Sequence, residues 1–280
     1  MNKIFFFLFL YSQSHLVNAQ EPARLLVRGD DMGYTHSGNQ ALIRCYQQGI
    51  EKSVEILVPS PWFAEAVKLL KQNPGIDVGI HLDLTSEWEN IKWRPLTDCK
   101  SLQDSAGYFF PMVYPNKNYP GRAISEHHWK MDDVEKEFRA QIELALKEIP
   151  NISHFSAHMG CTNLSPEVRA LTVRLAKEYK IPVDPEWDYK GFIGYDGPHK
   201  TSKEKIESFI RMLNKLEPGK TYIFLDHPGL CNDELKAVYH IGYENVCEDR
   251  QGVTDVFTSD QVKTVIKQKG IQLITYRELK

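Results

Sequence analysis

From residue 21 onward the apolar positions follow two alternating periods. Short runs rich in β-branched and aliphatic residues occur at 24–28 (RLLVR), 53–58 (SVEILV), 77–84 (DVGIHLDL), 152–158, 221–225 and 271–275, and these predict strands. Between them lie stretches with helical spacing. Residues 37–48 form one, and 62–71 form another through Phe63, Ala66, Val67 and Leu70. In 133–147, Val134, Phe138, Ile142, Ala145 and Leu146 recur at three or four residues, behind Asp132 as the expected N-cap. Ser165-Pro166 opens a helix with a capping oxygen followed by a first-turn proline. Ile206, Phe209, Ile210, Leu213 and Leu216 mark the next, which Pro218-Gly219 stops, and 259–269 carries the last.

Repeated strand-then-helix order predicts an α/β chain with a parallel sheet or barrel, whose sites lie at the C-terminal strand ends. Segments 86–130 and 184–200 break the rhythm and are rich in Trp, Tyr, Pro and Gly. Loops of this length in a compact domain are expected to be lids or binding loops. Without internal repeats or a linker, residues 20–280 read as a single domain with long loops.

The first 19 residues are of another kind. Lys3 precedes the apolar run Ile4 to Leu10, and Val17-Asn18-Ala19 supplies small residues for cleavage. This predicts a signal peptide over 1–19 and an exported protein, periplasmic or extracellular. The 280 residues carry 34 Lys+Arg and 37 Asp+Glu, a net charge of −3, which gives no electrostatic reason to expect nucleic acid or an anionic membrane as partner. A mean hydropathy of −0.42 and the lack of any apolar run of about 18 residues exclude a polytopic membrane protein. Cys45, Cys99, Cys161, Cys231 and Cys247 contain no C-x-x-C pair. Export permits disulfides, yet five is odd, and the spacing leaves the pairing open.

Four strand ends carry polar chemistry. The first strand runs into Gly29-Asp30-Asp31-Met32-Gly33, the third contains His81, another ends at His158, and Leu225 precedes Asp226-His227-Pro228-Gly229. One such histidine is ordinary; four aligned strand ends are not. Adjacent strand residues point to opposite faces, so Asp30 and Asp31 serve one site only if the backbone bends, which the flanking glycines permit. Asp31, His81 and His158 then form a two-imidazole, one-carboxylate site with positions open to water and substrate. A single divalent ion there, zinc or magnesium, lowers the pKa of water and polarises a carbonyl. Asp30 is placed as general base and His227 as general acid.

The same residues resemble the YdjC-like carbohydrate deacetylases. The resemblance runs through Gly29–Gly33, Asn39, Gln48-Gly49-Ile50 with Ser53, and Val78 to Thr85, then His158, His227-Pro228-Gly229 and Arg250. It implies a distorted TIM-like barrel related to polysaccharide deacetylases and metal-dependent removal of acetyl from an N-acetylated carbohydrate. It also implies Asp31, His81 and His158 as metal ligands, with Asp30 and His227 as the catalytic pair. Ser156-Ala157-His158-Met159-Gly160 lacks the Asp and second histidine common in that family, which weakens the case for a fourth ligand or a supporting carboxylate from this segment.

Sugar contacts are expected from Trp88 and Trp93 in the long loop, with Glu87, Arg94 and His36 as hydroxyl partners. Trp129 and Trp187 are further stacking candidates, while Trp62, at helical spacing, reads as core. Asp226 is expected either to orient His227 or to cap its turn. His127-His128 reads as an exposed pair. A homodimer is the default for such an enzyme.

Two rivals remain. His81-Leu82-Asp83 with His158 spells the H-x-D…H triad of non-haem iron oxygenases, with Arg169 as a basic partner, although those enzymes are all-β. A non-catalytic sugar-binding barrel is the other. It has no need of an acid and a base.

Overall fold

Six parallel strands and eight helices account for the architecture of the computed structural model, which describes residues 21–149, 151–184 and 191–279. The strands are β1 (Arg24–Met32), β2 (Ser53–Ile56), β3 (Asp77–Leu82), β4 (Ile152–Ala157), β5 (Thr221–Asp226) and β6 (Gln272–Ile274). The order is β4-β3-β2-β1-β5. β2 pairs with the C-terminal half of β1 and β6 with its first three residues, so two short strands share one edge of β1. The result is a curled half-barrel, α/β as expected, with single pairings of Val183 to Phe155 and Phe192 to Ile223 extending its margins.

Helices α1 (His36–Gln48), α2 (Phe63–Gln72), α3 (Met131–Glu148) and α4 (Pro166–Tyr179) accompany β1 to β4. Next come α5 (Ser202–Lys215), α6 (Asp233–Lys236), α7 (Val246–Thr258) and α8 (Asp260–Lys269). Thr35, Ser165, Thr201, Asn232 and Ser259 cap five of them through side-chain oxygens. Asp132 is not the cap of α3: Lys130 holds that position and Asp132 lies in the first turn, where its charge suits the helix dipole. β3 ends at Leu82, two residues short of the pattern, because Asp83 turns to meet α3, its N–H donating to Gln141.

One apolar core packs α1–α4 on β2–β4; a second packs α5, α7 and α8 on β1 and β5, with Phe209 edge-on to Phe224 at 4.8 Å. Each such ring contributes about 1.5–3 kcal/mol on burial.

The segment after β3 is not a lid. Trp88, Trp93, Leu102, Phe109 and Tyr119 are all buried in it, and Glu137 of α3 accepts from the N–H groups of Leu96 and Thr97. It is a packed cap. Cys231 and Cys247 form a disulfide joining the loop after β5 to the start of α7, and the remaining three cysteines are buried. The signal-peptide expectation lies outside the described residues, as does Trp187. No helix among the described residues is long and apolar enough to cross a membrane.

Candidate active site

The site begins with an irregularity in β1. Its pairing with β2 shifts register between Gly29 and Met32, and Asp31 adopts φ 68°. That left-handed residue is the bend that the adjacent carboxylates require. With it, Asp30 Oδ2 and Asp31 Oδ1 both face His81 Nε2, at 3.9 and 3.8 Å. A non-glycine residue in this region is strained, and such strain persists only where neighbours over-determine it. Here Arg250 of α7 holds Asp31 Oδ2 at 2.9 Å, and Gly33 at φ 109° donates its N–H to Asn39 at 2.7 Å. Gly29 serves differently from expected: a Cβ there would stand 2.3 Å from the Glu51 carboxyl, so the glycine makes room rather than the bend.

Each imidazole is oriented from behind. The single proton of the Ser156 hydroxyl goes to Glu55, so Ser156 Oγ accepts from His81 Nδ1–H at 2.7 Å, and the lone pair of Nε2 faces the aspartates. Glu87 stands 3.2 Å from His158 Nε2, leaving Nδ1 toward Asp31 Oδ1 at 3.1 Å. The ligand atoms of Asp31, His81 and His158 lie within 4.8 Å of one another, all buried, and no other such group occurs among the described residues. At ligand distances of about 2.0–2.1 Å, tetrahedral donors stand about 3.4 Å apart, a value the 3.1 and 3.8 Å separations bracket. Asp31 Oδ1 is also buried without a hydrogen bond. The donor set therefore fits a divalent ion, with carboxylates behind both imidazoles, Glu87 directly behind one and Glu55 behind the other through Ser156. The local segment around His158 lacks them, but Glu55 and Glu87 arrive from other parts of the chain.

Electrostatics follow this geometry. Burial pushes His81 down to about 3, keeping it neutral as a ligand must be. Burial opposes charge on both aspartates. Even so, Arg28 and then His81 hold Asp30 below the usual carboxylate range, and His227, His158 and Arg250 hold Asp31 well below it. Arg28 grips Asp30 with two parallel bonds, Nε to Oδ1 at 2.6 Å and Nη2 to Oδ2 at 2.8 Å. Its remaining nitrogen reaches Asp184 and the Tyr276 hydroxyl, filling the interior of the half-barrel. His227 is half-buried with Nε2 3.8 Å from Asp31 Oδ2; burial opposes its charge, but Asp31 and Asp226 raise it above the ordinary histidine value. Asp226 caps the turn through the His227 N–H at 2.8 Å, while its distance to the ring is 3.6 Å.

The structure brings Asp30, Asp31, His81, His158 and His227 together and redistributes the expected sugar contacts. Trp88 is buried against Tyr34 and Arg250, and Trp93 is buried with its indole N–H on Asp83 at 2.7 Å. Glu87 is behind His158, not in front of it. Arg94 lies exposed over Tyr108, at 4.0 Å. His36 is half-buried with Nδ1 on Glu65, and Trp62, expected in the core, is 39% exposed. Asp83 binds Thr85 and Trp93 and is not part of the ligand cluster, which removes the iron-oxygenase triad. His127 stacks on Phe110 at 4.2 Å.

Fold and site together define an α/β half-barrel with a buried cluster of one carboxylate and two imidazoles that could hold a metal ion, a donor set used in hydrolytic enzymes. The chain belongs to the YdjC-like family, whose model matches residues 24–268. It is 28% identical over 264 residues to carbohydrate deacetylase 1 of Listeria innocua, covering 91% of this chain and all of that one. It is 26% identical over 269 residues to a carbohydrate deacetylase of Geobacillus stearothermophilus, covering 92% and 98%. A crystal structure from Enterococcus faecalis, named as a candidate cellobiose-phosphate cleavage protein, shares the fold. Its TM-score is 0.72 at 21% identity, over 92% of this chain and 99% of that one.

Proposed function

We propose that this protein is a metal-dependent carbohydrate deacetylase that hydrolyses the acetamide of an N-acetylated sugar to acetate and a free amine. The observation that carries the reading is the buried, hydrogen-bond-free Asp31 Oδ1 between two pre-oriented imidazoles, with a tethered carboxylate and a histidine beside it. The names of the two full-length relatives support the substrate class.

When bound, a divalent ion supplies Lewis-acid polarisation of the acetyl carbonyl and activation of water. Asp31, His81 and His158 would hold it. Two nitrogens among three donors favour zinc over magnesium, which prefers an all-oxygen shell. Asp30, kept ionised by Arg28, accepts the proton of the attacking water. His227 gives its proton to the sugar nitrogen as the C–N bond breaks. Arg250 occupies Asp31 Oδ2 and so reserves Oδ1 for the ion. The N-terminal 19 residues and the Cys231–Cys247 disulfide support export to an oxidising compartment.

The test is acetate release from a panel of N-acetylated mono- and oligosaccharides, with metal content measured alongside. Release that chelator abolishes and zinc restores is the expected result. Metal-loaded protein that releases acetate from none of them overturns the reading.

A further inference from the structure

Strand register arranges the polar residues inside the half-barrel in two rows. Glu55 of β2 pairs with Gly79 of β3, and Gly79 with His154 of β4; two residues further on, His81 pairs with Ser156. The period of two puts all five on one face of the sheet. Gly79 is the gap in this array. A Cβ there would collide with the Glu55 carboxyl and stand 2.6 Å from His154 Nε2, so glycine lets the carboxyl cross β3 to reach β4. There Glu55 Oε1 meets His154 Nε2 at 2.8 Å, and Oε2 accepts the Ser156 hydroxyl. His154 is fixed in turn, its Nδ1 2.8 Å from Ser153 Oγ and its ring stacked on Tyr276 at 3.5 Å. The Arg28 guanidinium, 3.9 Å from Oε1, offsets the buried charge.

We propose that Glu55 is a positioning residue for the metal site: acting through Ser156, it fixes which nitrogen of His81 carries the proton and so sets how tightly the ion is held. The inference rests on the metal site of the deacetylase reading. A serine hydroxyl has one proton and two neighbours here to receive it. Given to His81 Nδ1, it would leave the ring proton on Nε2, blocking the atom that faces Asp31. Glu55 as a carboxylate claims the hydroxyl proton instead, because a charged acceptor makes the stronger bond. Ser156 Oγ is then only an acceptor toward the ring, His81 donates from Nδ1, and Nε2 is free to ligate. The hydroxyl alone has no such direction; the carboxylate from β2 supplies it. Support of this kind behind a ligating imidazole is worth about 10- to 100-fold in metal affinity.

The experiment compares wild type, Ser156→Ala and Glu55→Gln. Zinc Kd is measured by competition with a chromogenic chelator, and the His81 tautomer of metal-free protein by long-range proton–nitrogen NMR, assigned with His81→Gln. Circular dichroism checks the fold. Metal-free wild type shows His81 protonated on Nδ1. Ser156→Ala removes the acceptor, and Glu55→Gln presents an amide donor to Ser156 that turns the hydroxyl proton toward His81. Each variant gains the Nε2–H tautomer, and its zinc Kd rises about 10- to 100-fold. If Ser156→Ala fails to fold, Glu55→Gln decides alone. An unchanged zinc Kd overturns the relay, as does weaker zinc with the tautomer unchanged, which would mean only a loosened fold. Wild type with the proton on Nε2 overturns it without any variant. The two proposals fail separately. Wild type that binds zinc but releases no acetate removes the deacetylase reading, while Kd and tautomer still judge the relay. Unchanged Kd and tautomer in variants of an acetate-releasing wild type remove the relay alone.

Discussion

At the scale of single residues, the site depends on groups that keep or lose charge in a dry interior. His227→Ala removes the proposed proton donor and leaves Asp31, His81 and His158 in place. Its kcat is expected to fall about 10²- to 10⁴-fold while metal content stays at the wild-type level. Loss of metal together with rate would instead make His227 part of the metal cage. Glu51 supplies a second residue-level test. It is fully buried with both carboxyl oxygens lacking hydrogen bonds, and burial, reinforced by Asp30, raises its carboxyl well above the usual range. The folded chain therefore holds this proton to higher pH than the unfolded chain, which releases it above about 4.3. The stability that Glu51 contributes is present below that value and declines as pH rises toward the folded-state pKa. Glu51→Gln cannot ionise in either state, so its Tm relative to wild type rises as the pH climbs above about 4.3. A pH-independent difference would show that the buried carboxyl ionises normally.

The cluster of Asp31, His81 and His158, with Asp30 and His227 beside it, is legible because each lies at or next to the C-terminal end of a strand as a polar residue after an apolar run. Their supports were less so. Arg28 shares a strand face with Asp30 at the period of two, a signal that strand alternation contains. Glu55, a charge inside the short apolar strand β2, was likewise visible as an oddity. Glu87 reads from the sequence as a sugar contact, because distance along the chain from His81 does not reveal which side of a histidine a carboxylate takes. The tryptophans failed for a related reason: helical spacing at Trp62 describes α2, but Trp62 is its N-cap residue and leaves the core face.

At the scale of elements, α7 is the piece the periodicity missed. Its first turns read Cys247-Glu248-Asp249-Arg250-Gln251-Gly252, with one buried cysteine, one buried arginine and a helix-weakening glycine, so no apolar stripe stands out. Yet α7 delivers Arg250 to Asp31, and its start is stapled to the β5 loop by Cys231–Cys247. Between the two cysteines lies α6, whose Glu234 accepts from the N–H groups of His36 and Ser37 at the start of α1. Closing a loop with a sequence separation of 16 is worth roughly 3 kcal/mol in the unfolded-chain model. Cys231→Ser with Cys247→Ser is therefore expected to lower Tm by about 6–10 °C, and thiol reductant should do the same to wild type. Reductant that shifts the double variant equally would assign the effect to something other than this bond.

At the scale of the whole molecule, strand–helix alternation correctly announced a parallel α/β sheet, but it could not announce how far that sheet closes. Closure is a long-range property. Here residues 83–130 supply a packed cap where a complete barrel would insert further strand–helix units, and the interior is filled by Arg28, Glu55, His154, Asp184 and Tyr276. The half-barrel thus converges β1, β3 and β4 on one cluster of like-minded ligands: Asp31 from the first, His81 from the second and His158 just past the third. Without a cation, the neighbouring carboxylates and imidazoles balance one another only in part. Burial opposes charge on His158, but Glu87 and Asp31 hold it well above its ordinary value, so an incoming ion must displace a proton. An ion that binds only the folded chain raises stability by RT ln(1 + [L]/Kd), about 4 kcal/mol at a thousandfold excess over Kd. Saturating zinc should therefore raise Tm by about 8–15 °C over chelator-stripped protein, and Asp31→Asn should abolish most of that shift while leaving the stripped protein folded. A zinc shift that survives Asp31→Asn would place the ion elsewhere, and with it the chemistry that the three strands have been bent to serve.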